Sequence, residues 1–112
     1  MNYIKDNIYV YENNKEYTIL IGKNANGNNE IIKKSHPNDI WFHFNSISSC
    51  HIILQCENDI IPQKYINQVA YLLYKYKKNV PPNSKIIYTQ IKNIKLTNTI
   101  GTVIPKHIKY IK

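Results

Sequence analysis

Two neighbouring segments decide the fold of this chain: DIWFHF at residues 39–44 and HIILQ at residues 51–55. Successive side chains of a β-strand point to opposite faces of a sheet. In the first segment, one face therefore carries the apolar residues Ile40, Phe42 and Phe44. The opposite face carries an unusual combination, Asp39, Trp41 and His43. In the second segment, Ile52 and Leu54 share one face, and His51, Ile53 and Gln55 share the other. These patterns predict two strands with a core-facing apolar side.

A tight turn over residues 46–49 joins the two segments and predicts that they pair as an antiparallel hairpin. In such a pair, side chains on the same face of neighbouring strands lie opposite each other. The polar faces then meet, and His43 lies near His51.

Outward from this hairpin, the residue patterns predict an α+β fold: a mostly antiparallel sheet with two helices. Short apolar runs predict further strands at 8–11, 17–22 and 85–91, and a last hairpin with its turn at Pro105 and Lys106. Apolar residues at helical spacing after Pro62 predict one long amphipathic helix over about 62–78. A short helix is predicted over about 29–35, capped by Asn28 or Asn29.

Length and charge limit the class of protein. With 112 residues, the chain predicts a single domain over 1–112. Fifteen lysines, no arginine and seven acidic residues give a net charge of +8, which favours a polyanionic partner. Ile, Asn, Lys and Tyr dominate the composition and are encoded by A/T-rich codons, which indicates an AT-rich genome. The net charge alone is therefore weak evidence for nucleic-acid binding.

The remaining composition predicts an intracellular protein, in the cytoplasm rather than the nucleus. Cys50 and Cys56 are too few for a disulfide framework, so free thiols are expected. The first residues lack the continuous apolar region of a signal peptide. The longest uncharged apolar stretch, 69–74, is too short to span a bilayer, so no membrane association is expected.

Asp39, His43 and His51 form the first candidate site. A carboxylate beside an imidazole orients its tautomer or raises its basicity, and the three side chains also match a facial metal site. An Asp/His-dependent nuclease or hydrolase is therefore one alternative, and a binding or structural role is favoured over it. If either histidine titrates near neutrality, ligand binding strengthens on mild acidification.

Two further patterns are typical of phosphate and base contacts. The loop at 22–29 combines glycines and asparagines with Lys23, without the spacing of a Walker A motif. By spacing alone, an ordinary Asn/Gly turn is favoured over a phosphate-binding loop. Lysines also alternate with aromatic residues at 74–78, and Tyr88 precedes Lys92 and Lys95. Aromatic rings stack on bases while lysine contacts phosphate, but for 75–78 a solvated helix end is favoured over that role. For Tyr88 to Lys95 neither role is favoured.

Taken together, these motifs resemble the NFACT-R domain family over roughly residues 8–111. The block from Asp39 to His43 is the most specific part. The matching positions are Gly22, Lys23, Asn24, Asn28, Asp39, Ile40, Trp41, Phe42, His43, Ser49, His51 and Ile52. The helix from Pro62, the strand around Tyr88, and the lysines Lys92 and Lys95 continue the match. Gln55, Cys50 and Leu96 depart from it, and each removes one possible phosphate contact.

The resemblance implies a non-catalytic RNA-binding module for tRNA or rRNA, with no cofactor and no metal. Members of the family act in ribosome-associated quality control, so the ribosome is an implied partner. A module that docks on a protein partner is a further alternative. Similar stand-alone members continue into a long charged helix that this chain does not contain. Template-free synthesis of a peptide tail, an activity of the larger quality-control factors, is therefore not expected of it. The predicted nucleic-acid contacts are Lys23, Asn24, Asn28, Asp39, Trp41, His43, Ser49, His51, Tyr88, Lys92 and Lys95, with Trp41 or Tyr88 as the base platform if exposed.

Overall fold

The computed structural model describes residues 2–112 and confirms a mixed α+β fold. Its strands are β1 (Tyr3–Val10), β2 (Lys15–Gly22), β3 (Ile40–Phe44), β4 (Ile52–Gln55), β5 (Ile86–Gln90), β6 (Ile94–Leu96), β7 (Val103–Pro105) and β8 (Lys109–Tyr110). The helices are α1 (Ala25–Lys33), α2 (Gln63–Tyr71) and α3 (Leu73–Tyr76), with a 3₁₀ turn over Ile91–Asn93. Six strands form an antiparallel sheet in the order β1-β2-β4-β3-β5-β8, and β6 pairs with β7 in a separate ribbon.

Strands β3 and β4 pair as the sequence predicts and lie in the middle of the sheet. Trp41 lies opposite Ile53, and Phe42 lies opposite Ile52. Strand β3 also pairs with β5, and β4 also pairs with β2. Neither strand is therefore an edge, and this explains why both of their faces are mostly apolar.

Two hydrophobic clusters cover the two faces of the sheet. Helices α2 and α3 cover the first face, where buried residues include Phe42, Phe44, Ile52, Leu54, Val69 and Leu73. Helix α1 and the β6–β7 ribbon cover the second face, where the buried residues are Tyr3, Leu20, Ile31, Ile32, Trp41, Ile53 and Ile87. Within residues 2–112, no helix has the length and apolar content needed to cross a bilayer.

The single long helix predicted over 62–78 is wrong. Helices α2 and α3 are separate segments, because the chain tightens at Leu72, whose amide bonds to the carbonyl of Val69 three residues earlier. Lys77 is already extended, so α3 ends at Tyr76. Hydrophobic spacing does not distinguish one helix from two that share an apolar face.

Two other predicted elements also differ. The short helix begins at Ala25 rather than near residue 29, because Asn24 caps it by accepting a hydrogen bond from the Gly27 amide at 2.8 Å. The predicted last hairpin does not form. Strand β7 pairs with β6 and strand β8 pairs with β5. The Thr89 hydroxyl donates to the Lys106 carbonyl at 2.9 Å and holds the connection between them.

Helix α1 is attached to the central sheet at the end of β2. The Gly22 amide donates to the His51 carbonyl at 3.0 Å, and the His51 amide donates to Asn28 Oδ1 at 3.1 Å. A Cβ atom at Gly22 would lie 2.0 Å from Asn28 Oδ1. Only glycine leaves room for the buried Asn28 side chain at this point.

We predict that Gly22→Ala lowers the free energy of unfolding by about 1–3 kcal/mol, because the added methyl displaces Asn28 and leaves the His51 amide unpaired. Urea unfolding followed by circular dichroism measures the change. In an Asn28→Ala background the same substitution is expected to cost less. Equal costs in the two backgrounds would contradict the proposed contact.

Candidate nucleic-acid interface

A concave surface of about 780 Å³ lies where β2 and β3 end and β4 begins, and is called the cleft below. The N-terminus of α1, the turn over 45–50, the loop over 100–103 and the end of α3 form its walls. Seven of the predicted site residues line it: Lys23, Asn24, Asn28, Trp41, His43, Ser49 and His51.

The entrance of the cleft, at the start of α1, is suited to an anion. Lys23 is exposed there, and the amides of Ala25 and Asn26 belong to the first helical turn, which has no intrahelical acceptor. The N-terminal end of a helix carries partial positive charge. Among the described residues that line the cleft, none is an Asp or Glu. This wall therefore presents positive charge and amide donors without a competing carboxylate.

Three aromatic rings form the floor of the cleft. Trp41 stacks on His43 with ring centroids 5.5 Å apart, and the His51 ring meets both edge-on at 5.4 and 4.9 Å. The predicted approach of His43 to His51 is confirmed. Trp41 is only 1% exposed, so the expectation that its indole stacks on a base is wrong. The indole is a packing element that supports His43.

Burial keeps both histidines uncharged. Loss of hydration lowers the pKa of His43 below its ordinary value. Burial, assisted by the nearby His43, lowers the pKa of His51 to about 3. Both shifts move the pKa away from neutrality, and His51 does not meet the condition under which stronger binding on mild acidification was expected. The Nδ1 atom of His43 bonds to the Phe44 carbonyl, which requires a proton on Nδ1 and leaves Nε2 as an acceptor.

Asp39 does not join the two histidines. It is fully buried, and its carboxylate accepts hydrogen bonds from the amides of His36 and Glu57 at 2.8 and 2.7 Å. It precedes His43 by four residues along an extended strand, a Cα separation of about 13 Å. Within residues 2–112, no three His, Cys, Asp or Glu side chains are grouped to hold a metal ion. The proposed nuclease constellation is not assembled, and Asp39 holds two loops instead of contacting RNA.

Tyr88 lies on the other face of the sheet. It stacks on Phe42 at 5.9 Å, on the side that α2 covers. With Lys92 it lines a second concave surface of about 620 Å³, where Glu57 and Asp59 are also present. The predicted set is therefore divided between two surfaces.

Lys95 lies outside both surfaces. Its neighbours Ile94 and Leu96 pack toward Trp41, so the Lys95 side chain points outward from the β6–β7 ribbon. The structure thus separates Lys95 from the cleft as well.

The sequence did not indicate every wall of the cleft. Tyr76 lines it from the end of α3, and Thr102 lines it from the loop before β7. The sequence placed Tyr76 in the lysine–aromatic run at 74–78, where a solvated helix end was favoured over base stacking. No sequence signal brings the loop at 100–103 to α1, where the Gly101 amide donates to Asn29 Oδ1 at 2.9 Å.

Comparison with known families gives one match that covers most of the chain. The family model described as NFACT protein RNA binding domain matches residues 7–107. A solved structure, the C-terminal part of the fibronectin/fibrinogen-binding protein from Streptococcus suis, superposes with a TM-score of 0.76. It covers 96% of this chain and 44% of that chain at 22% identity, which shows a shared fold.

Curated relatives are longer proteins. Coiled-coil domain-containing protein 25 of Mus musculus is 33% identical over 94 residues, which cover 76% of this chain and 44% of the relative. The homologous protein of Dictyostelium discoideum is 30% identical over 112 residues, which cover 87% of this chain and 52% of the relative. The chain therefore spans about half the length of the curated relatives that it matches.

The uncharged state of His51 predicts how stability depends on pH. Below about pH 6.5 the unfolded chain binds a proton on this ring, whereas the folded chain does not until about pH 3, so acidification favours unfolding. Between pH 6 and 4.5 the wild type loses about 1.4 kcal/mol more per pH unit than His51→Gln. Urea unfolding at a series of pH values measures this difference. Parallel curves for wild type and His51→Gln would refute the assignment.

Proposed function

Because this chain belongs to the NFACT-R family of RNA-binding domains, we propose that it binds tRNA or rRNA in the cleft without catalysing a reaction. The observation that carries the proposal is the composition of the cleft walls. Lysine, helix amides and hydroxyl groups line it, and no carboxylate does among the described residues. Such a wall matches the phosphate backbone, which supplies most of the affinity in nucleic-acid complexes.

Lys23 is the proposed primary phosphate contact. Lys23 lines the cleft two residues before the first helical residue, Ala25, whose amide donates to the same anion. Asn24 and Asn28 act indirectly, since one caps α1 and the other attaches it to β4. Together they hold the helix end at the mouth of the cleft.

Ser49, His43 and His51 are proposed to shape the inner part of the site. Ser49 donates to the Cys50 carbonyl at 3.2 Å and orders the turn beside His43. Neutral His43 presents an acceptor nitrogen, which pairs with a ribose hydroxyl or with a base N–H. His51 is 3% exposed and supports the other rings.

The charge distribution favours an anionic partner beyond the cleft. Among the lysines that the structure describes, only Lys15 and Lys64 form ion pairs. The other lysines remain available for long-range attraction of a polyanion. A cytoplasmic ribosomal or tRNA ligand, met during ribosome-associated quality control, is the proposed biological context.

Anisotropy titration of labelled tRNA over a series of salt concentrations tests the proposal. Each phosphate contact contributes about 0.7–0.9 to the slope of log K against log salt, so Lys23→Ala is expected to reduce the slope by about that amount. The double variant Lys92→Ala, Lys95→Ala removes two exposed lysines outside the cleft and is the matched control. If Lys23→Ala left the slope unchanged and the double variant reduced it, the RNA site would lie outside the cleft.

A further inference from the structure

An accessible aromatic ring in the cleft is found at Tyr76 rather than at Trp41. Tyr76 is the last residue of α3, is half-buried, and lines the same concave surface as His43. The Nζ atom of Lys75 lies 5.6 Å from the centroid of the Tyr76 ring. This cation–π contact holds Lys75 against the Tyr76 ring.

We propose that the cleft binds one unpaired nucleotide, with its base against Tyr76 and His43 and its phosphate on Lys23; this inference rests on the proposed function. A volume of about 780 Å³ lies within the range of roughly 300–1,000 Å³ that encloses small ligands. A nucleotide therefore fits, whereas a base pair within a helix is stacked on both sides and has no free ring face for a protein.

The inner wall is suited to a base rather than to a second phosphate. His43 is neutral and half-buried, so it offers a flat ring and an acceptor without adding charge. Apolar side chains of Ile47 and Phe44 line the same region. Phosphate is therefore favoured at the Lys23 end and a flat, partly apolar base at the Tyr76 end.

This division of the cleft predicts the class of RNA. Loops, bulges and single-stranded ends present unstacked bases to aromatic side chains, and regular RNA helices do not. The domain thus selects unpaired positions in a folded RNA. Phosphate contacts alone would not make that distinction.

The test compares a single-stranded RNA, the same strand in a blunt duplex, and the same strand with abasic positions, each titrated by anisotropy. Stacking of one base contributes about 1–3 kcal/mol, so wild type is expected to bind the single strand roughly 5- to 150-fold more tightly than the duplex or the abasic strand. Because these comparisons change only the ligand, they do not depend on the folding of a variant.

Variants then assign the preference to Tyr76. Tyr76→Leu is expected to reduce the single-strand preference to below about threefold, and Tyr76→Phe, which retains a ring, to preserve it. Tyr71 is exposed on α2 outside the cleft, so Tyr71→Leu is the matched control and retains the preference. Lys23→Ala weakens both ligands by a similar factor.

The possible failures are distinguishable. Equal binding of single strand, duplex and abasic strand by the wild type would overturn the nucleotide site and leave RNA binding in place. An unchanged preference in Tyr76→Leu would also overturn it. Absence of binding to any of the RNAs would refute the proposed function itself. A matched single-stranded DNA bound as tightly as RNA supports the stacking site and shows that the ribose hydroxyl is not read.

Discussion

The pairing of β3 with β4 is the constraint on which the other features depend. Trp41 opposite Ile53 sets which residues face α1 and which face α2. A slip of one residue would send every side chain of one strand to the opposite face. Burial on both faces excludes that slip, since His43 would then enter the α2-covered core and Phe42 and Phe44 would leave it. The meeting of His43 with His51 follows from the same register.

The second constraint is the attachment of α1 to this hairpin. One buried amide side chain, Asn28, connects the helix to His51, the residue before β4, and Gly22 leaves room for it. These contacts turn the N-terminal end of α1 toward the aromatic floor. The electrostatic character of the cleft then comes from local placement of donors and from the exclusion of acids, rather than from the net charge of the chain. This distinction matters because A/T-rich codons alone raise the lysine content.

The sequence predicted the strands of the central hairpin and the faces of their residues, because alternation depends only on local geometry. It did not predict that Trp41 is buried, since alternation shows the face on which a residue lies and not what covers that face. The cover here is α1 and a ribbon from residues 94–105, far away in the chain. Tyr88 was misplaced for a related reason: its face follows from the register of β5 with β3, which only the fold defines. Tyr76 was not distinguished from the other residues of the 74–78 run, because helical spacing gives a core residue and a cleft-lining residue the same pattern.

The central claim, that RNA binds at the end of the sheet formed by β2, β3, β4 and α1, is tested most directly by NMR. Amide resonances of the ¹⁵N-labelled chain are assigned and followed during titration with a short single-stranded RNA. The account predicts that the largest shifts cluster at residues 22–28, 43–51 and 75–76, with small shifts at 88–95. Shifts concentrated at 88–95, with the first three segments unchanged, would contradict it.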